Sequence, residues 1–279
     1  MKASVVRKLF SLCSHDYALT KINEQKLSFD VGKPQGLVYL DGMFILSSIF
    51  TDLDNEVKNK GVLSFFSSEG ELAQSVDLGF DDFVHIGGMS INERVVTLPV
   101  AKYYKNSQTY IYDVELDPSL NLSILSEKYI PDHIGVSVKV DDKIYGYNWG
   151  AKKGYKIHNF SYEIFNNINR HIEYQDCNPI NDEYYICLGR KDYNIPEAGP
   201  VGIGGLDIIS VRDLSVNCTI PIDLWVKPYI PIAKNSFWID NVDQNIRLYF
   251  VPEYNSASLY EYQIDIQGDS IQNTTDLSM

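Results

Sequence analysis

The chain is short of most features that betray a function in sequence. No apolar run approaches the roughly 20 residues of a membrane-spanning helix, so no membrane partner is expected. Cysteine is scarce: Cys13, Cys177, Cys187 and Cys218 make no C-x-x-C pair, which argues against a thiolate zinc site. Cys177 and Cys187 could sit on adjacent strands, but the expectation for a chain without a clear leader is reduced, buried thiols. Basic residues are in deficit, with 24 Lys and Arg against 37 Asp and Glu and a net charge of -13. That argues against the basic stripe a nucleic acid requires and against binding anionic membranes. There is no G-x-S-x-G elbow, phosphate loop, H-E-x-x-H or dinucleotide fingerprint. At the N-terminus, Arg7 and Lys8 interrupt the apolar stretch and no small-residue cleavage site follows. Residues 1–25 therefore read as a lead-in segment, an amphipathic helix or a loose tail. The expected location is cytoplasmic, with a removed signal as the alternative.

What the chain has is aromatic residues and a repeat. It carries 20 Tyr, 12 Phe and 3 Trp, a composition suited to half-buried sheet positions. A unit of β-rich run, polar turn and second β-rich run recurs about every 40 to 60 residues. The turns are Asp41-Gly42, Asn92-Glu93, Asp141-Asp142, Asn181-Asp182 and Asn241 to Asn245. Asp41-Gly42 is the strongest short hairpin signal among them. Five such units predict an all-β, five-bladed propeller over residues 26–267, with 268–279 as a polar tail. The last unit has three strands, and KLSFDV (Lys26–Val31) is available to close the ring and cover two sheet edges. The Gly/Pro-rich stretch 191–203 reads as a long loop; strands hidden there would make the propeller six-bladed.

In a propeller the innermost strand of each blade starts, and the second strand ends, at one face. The starts are Gln35-Gly36, His85 to Gly88, Asp132 to Gly135, Tyr174 to Cys177 and Lys234-Asn235. The ends are Ser47-Ser48, Ala101 to Tyr103, Asn148 to Gly150, Gly189 to Lys191 and Pro252 to Tyr254. A ligand site at this mouth follows, because concavities with a few directed polar groups are where ligands bind. His85 and His133 are the candidate general bases, with Asp176 as their acidic or orienting partner. Arg190 is the candidate anion clamp and the natural cation beside Asp176. Trp149, Asn148, Gln175, Lys102 and Tyr103 complete the ligand-binding set, and Tyr147 and Tyr254 could add contact surface. If a divalent cation sits in the channel, Ca²⁺ or Mg²⁺ held by Asp132 and Asp176 is expected; the histidines leave a transition metal open. The oxygen-rich loop from Asp52 to Glu56 is a weaker calcium signal.

The segments HIGGM, DHIG, YNWGAKKGY, YQDC and GGLDII, in that order, resemble a family of uncharacterised propeller-like proteins. Its members carry HPGG-, DHIGG-, SWGSR-, YQDC- and GGL-type segments. The resemblance covers roughly residues 80 to 250 and departs from the pattern at Ile86 and Lys152. It implies a fold and a site location, and transfers no activity. From the residues, the expected function is that of a hydrolase or lyase acting on a small polar or saccharide substrate. The alternative is a non-catalytic ligand-binding or protein-interaction module.

Overall fold

The computed structural model describes residues 3–14, 16–51, 59–158, 161–196, 199–227, 230–242 and 245–266. Among the described residues five antiparallel sheets form the blades, each running outward from its innermost strand, the last taking its outermost strand from the N-terminal segment, and a two-stranded ribbon stands apart from them. Blade one comprises Lys33–Leu40, Met43–Phe50, Lys60–Ser67 and Leu72–Asp77. Its inner strands are nearly continuous apolar runs, as in MFILSSIF, because each face packs on another blade. Its outer strand Leu72–Asp77 alternates between partly buried and exposed, because its outer side meets water. The first hairpin turns at Asp41 (φ 50°) and Gly42 (φ 87°), the paired positive φ that a tight two-residue hairpin needs.

In blade two the innermost strand is broken into Phe83–Ile86 and Ser90–Asn92, both paired with Val95–Lys102. The break is at Gly87-Gly88. A Cβ on Gly87 would lie 2.1 Å from the Gly135 carbonyl, and one on Gly88 would lie 2.5 Å from that of Gln175. Two glycines thus let blades two, three and four close in backbone to backbone, with Gly88 N–H donating to Gly135 O at 2.9 Å. Blade three begins at Ile134–Val140, blade four at Glu173–Pro179 and blade five at Ser236–Val242.

The ring closes as expected with an N-terminal strand, but with a different one. Tyr17–Lys26 pairs antiparallel with Ser258–Ile266, from Tyr17↔Ile266 to Lys26↔Ser258. Of the expected Lys26–Val31, only Lys26 belongs to this strand; residues 27–31 run irregularly between blades, where Leu27 N–H reaches Ala257 O and Val31 N–H reaches Asn255 O, with both side chains buried. The closing strand is outermost and largely wet, so its sequence, YALTKINEQK, carries no alternation to betray it. The strand therefore lies inside the segment read as a lead-in, and the helix Ala3–Ser11 precedes it. Leu9 and Leu12 bury against blades four and five.

The 191–203 stretch is not an irregular loop and makes no sixth blade. It extends the two middle strands of blade four, Tyr184–Ile195 and Gly199–Ser210, into a hairpin arm paired as far as Ile195↔Gly199. The arm packs beside the ribbon of Trp225–Lys227 and Ile230–Pro231, where Gly202 faces Pro231.

The expectation of reduced thiols is overturned. Cys177 and Cys187 lie opposite each other on adjacent strands, with Cα atoms 4.1 Å apart, and are joined by a disulfide. Cys13, beyond the helix, is bonded to Cys218 of blade four across 205 residues. Burial suits a thiol and a disulfide equally, so the sequence had no means to separate them. No described helix is long and apolar enough to cross a membrane. The loop from Asp52 to Glu56 and the 268–279 tail lie outside the described residues.

Candidate functional site at the channel mouth

The innermost strand starts do converge. A cavity of about 260 Å³ opens at this face, lined among others by Gln35, His85, His133, Trp149, Arg190 and Tyr254. At its base the two histidines are hydrogen-bonded to each other, His85 Nδ1 to His133 Nε2 at 2.8 Å. Both imidazoles are nearly or fully buried. Burial lowers the pKa of His85 well below the usual imidazole range, and its neighbour His133 adds to this. Burial holds His133 at about 4, against the pull of the Tyr104 and Lys102 carbonyls. Both rings are therefore neutral at pH 7.

The partners assign the tautomers. Gln35 spends its amide nitrogen on Lys33 O at 3.1 Å, so its Oε1 accepts from His85 Nε2–H at 3.0 Å. His85 Nδ1 must then accept, and His133 Nε2–H donates to it. His133 Nδ1 is then left as an acceptor: the Ser107 hydroxyl, 2.9 Å away, donates to it in this tautomer and to Lys102 O, at 3.0 Å, when Nδ1 carries a proton. The Tyr104 carbonyl also faces this nitrogen at 3.0 Å and is a ready acceptor when Nδ1 carries a proton. The chain from Ser107 through His133 and His85 to Gln35 can thus hold two protons or three. A third is shared between the rings, with an acceptor waiting at each end.

Walls surround this base. Trp149 is 41% exposed, its ring 4.9 Å from that of His133. Tyr103 lies 5.4 Å from the His85 ring. Asn148 and Gln175 line the cavity, and Asn148 is fixed by Lys153 N–H at 2.9 Å and by Asp132 Oδ2 at 3.3 Å. Arg190 borders the cavity and pairs with Asp192 at 3.3 Å.

Asp176 stands apart from the histidines. It is fully buried, and its carboxylate accepts four backbone N–H groups, from Leu37, Met89, Cys177 and Phe237, at 2.9 to 3.1 Å. These come from blades one, two, four and five. Asp176 ties the innermost strands together across the channel, and its described partners are neither His85 nor Arg190. Burial pushes its carboxyl up, against the four backbone donors, which pull it down. Asp132 likewise serves its neighbours, accepting His133 N–H at 2.8 Å and the Tyr155 hydroxyl at 2.7 Å. Among the described residues no group of three or more His, Cys, Asp or Glu could hold a metal ion. Lys102 pairs with Asp82 at 3.6 Å, away from the cavity lining. Tyr147 faces the core, its hydroxyl on that of Tyr185.

Sequence reasoning missed Ser107, and Glu173 and Asp192 of the cavity lining, and gave Gln35 no role. Ser107 follows a second-strand end in an irregular segment, where period carries no information. Glu173 and Asp192 each lie within a few residues of a named position and were legible by extension of the same strands.

The chain belongs to the family described as "Family of unknown function (DUF6454)", which it matches over residues 6–267. No curated protein matches it. Among solved structures it is similar to a Myxococcus xanthus glutaminyl cyclase, with TM-score 0.58 and 13% identity, covering 90% of this chain and 98% of that one. It is also similar to an exo-1,5-alpha-L-arabinanase from a bovine ruminal metagenomic library, with TM-score 0.49 and 9% identity over 86% and 95% of the two chains. A hypothetical protein from Leishmania major aligns with TM-score 0.49 and 10% identity over 95% and 96%. At these identities the likeness is one of fold.

Proposed function

We propose that the mouth carries out general acid–base chemistry, of hydrolase or lyase type, on a small polar substrate such as a saccharide or a hydroxy compound. The observation that supports this reading most is the His85–His133 pair. Two neutral imidazoles are bonded to each other beneath a cavity sized for a small molecule. A substrate hydroxyl that displaces Gln35 meets His85 Nε2. That nitrogen donates in the tautomer described above and accepts when both ring protons sit at Nδ1. A proton taken from substrate is shared with His133, so the buried pair need not localise a full charge on one ring. Trp149 and Tyr103 supply apolar contact, and Arg190 orients a polar group. Asp176 has no part in the chemistry, because its lone pairs serve the fold. The same saturation leaves Asp132 and Asp176 poor choices for a channel cation, and the reading requires none. The glutaminyl cyclase is an enzyme on a similar frame, which is analogy only.

The test is incubation with a panel of small glycosides, uronides and hydroxy acids, with products followed by NMR. Turnover by the wild type, lowered about 10² to 10⁴-fold in His85→Ala, is the expected result. A second reading, a non-catalytic binding module, has its own support: all four ring nitrogens already have protein partners. Binding without turnover, retained in His85→Ala, would establish that one instead. As to compartment, the two disulfides favour an oxidising one over the cytoplasm expected from sequence.

A further inference from the structure

In a chain with far more acid than base, cations gather on one side of this mouth. Lys234 is only partly exposed, and its ammonium sits 3.6 Å from the centroid of the Tyr254 ring, which lines the cavity. Burial, and then the like charge of Arg190, hold Lys234 below the usual ammonium range. Arg190 is also within electrostatic reach of the Tyr254 phenol. Lys33 lies over Tyr103 at 5.4 Å on the same rim. Against this stand two carboxylates that line the same cavity: Asp192, which bridges Arg190 through one nitrogen at 3.3 Å and is more than half exposed, and Glu173, opposite Arg190 on the neighbouring strand. Among the described residues the guanidinium makes no other hydrogen bond, so most of its donors remain for a ligand.

Arg190 and Lys234 are partly desolvated and feel each other's charge, and the half-wet Asp192 offsets that repulsion only in part, so a bound anion would relieve the rest. Tyr254 fixes the ammonium by a cation–π contact, and the pairing of blade four with its arm sets the backbone position of Arg190. We infer that Arg190 and Lys234 form an anion subsite at the edge of the mouth, and that the ligand is a small hydroxy-carboxylate of the sugar-acid or hydroxy-acid class. The planar fork of Arg190 suits a carboxylate, and Lys234 supplies a point charge to its second oxygen. The aromatic walls and the histidine pair then face the hydroxyl-bearing carbons. A cavity of about 260 Å³ limits the molecule to roughly monosaccharide size. This inference rests on the mouth being the ligand site, but not on any reaction there.

The experiment is calorimetric titration of the full chain with three matched pairs: D-glucuronate with D-glucose, D-galacturonate with D-galactose, and L-lactate with propane-1,2-diol. At least one acid is expected to bind about tenfold or more tighter than its neutral partner. That preference is expected to shrink about tenfold in Lys234→Met, to survive in Lys234→Arg and to weaken with added salt. Thermal unfolding of each variant reports whether the fold is kept. No acid exceeding its neutral partner, or a preference untouched in a folded Lys234→Met, would overturn the subsite. His85→Ala separates this from the catalytic reading: carboxylate binding kept with no turnover in any protein leaves the subsite standing and removes the acid–base proposal.

Discussion

Two polar clusters sit on the same innermost strands, and they differ in who satisfies them. Asp176 is met by four backbone amides from four blades. Backbone donors cannot be exchanged for a ligand without opening the propeller. His85 and His133 are met mainly by side chains, Gln35 and Ser107, and they border a cavity. Side chains can rotate away and be replaced by substrate groups. Both clusters are buried, polar and perturbed in pKa, so burial and perturbation alone do not distinguish a structural device from a site. The identity of the hydrogen-bond partners does.

The largest expected effect breaks the channel cluster. Asp176→Ala leaves four amides from four blades without an acceptor, each costing of order 1–3 kcal/mol where water cannot replace it. A total loss of about 4 kcal/mol or more is expected in urea unfolding. Asp176→Asn should lose nearly as much, because its NH₂ would point a donor at donors. A folded, near-wild-type Asp176→Asn would mean that the amides are not held by this carboxylate.

Next is the bond between Cys13 and Cys218, which ties the N-terminal helix to blade four. Replacing both with Ser is expected to cost roughly 2–4 kcal/mol. His85 and His133 should keep their mutual hydrogen bond, seen as unchanged ring ¹⁵N shifts. A moved histidine signal would show the mouth leaning on the closure rather than standing on its own strands.

How much of this could be read from sequence follows the same division. Blade number and the five inner hairpins were legible because each rests on local pattern: apolar runs around polar turns. The convergence of His85, His133, Trp149 and Arg190 was legible because propeller geometry sends strand starts and ends to one face. The closing strand was misplaced because an outermost strand at a solvent edge has no alternation. The role of Asp176 was misread because its partners are backbone amides, which every residue has and no sequence displays. Its pairing with Arg190 was a rule about side chains applied where the answer was main chain. Ser107 was invisible for a related reason: an irregular segment brings it to His133 from 26 positions away.

The two clusters also titrate with opposite sign. Burial lowers the folded pKa of both histidines, His133 to about 4. Unfolded imidazoles take up a proton near 6.5, so between about 6.5 and 4 the unfolded state binds more protons. The histidine contribution is present above that window and is lost as pH falls through it. The fall for His133 amounts to about 3 kcal/mol. Asp176 has a folded pKa raised by burial, so its contribution is full below the unfolded value and is lost as pH rises through the folded one. Urea unfolding from pH 4.5 to 7.5 should show the acid-side slope in the wild type and a shallower one in His133→Gln. An equal slope in both would mean that folding leaves the His133 pKa unshifted.

The smallest effect on stability is the sharpest probe of the mouth. Gln35→Ala removes the acceptor of His85 Nε2–H. Gln35 is only partly buried and borders the cavity, so water can take its place. One side-chain hydrogen bond re-formed with water should cost no more than about 1 kcal/mol. The His85 ring should report far more than the fold does. With Nε2 open to water its desolvation eases, and its pKa should rise toward the ordinary imidazole range in an NMR titration. His133, one hydrogen bond further in, should follow by a smaller amount through the Nδ1–Nε2 contact. If Gln35 were a structural tie like the amides around Asp176, its loss would instead destabilise the protein by several kcal/mol. A large stability loss with an unmoved His85 titration would erase the distinction between the two clusters.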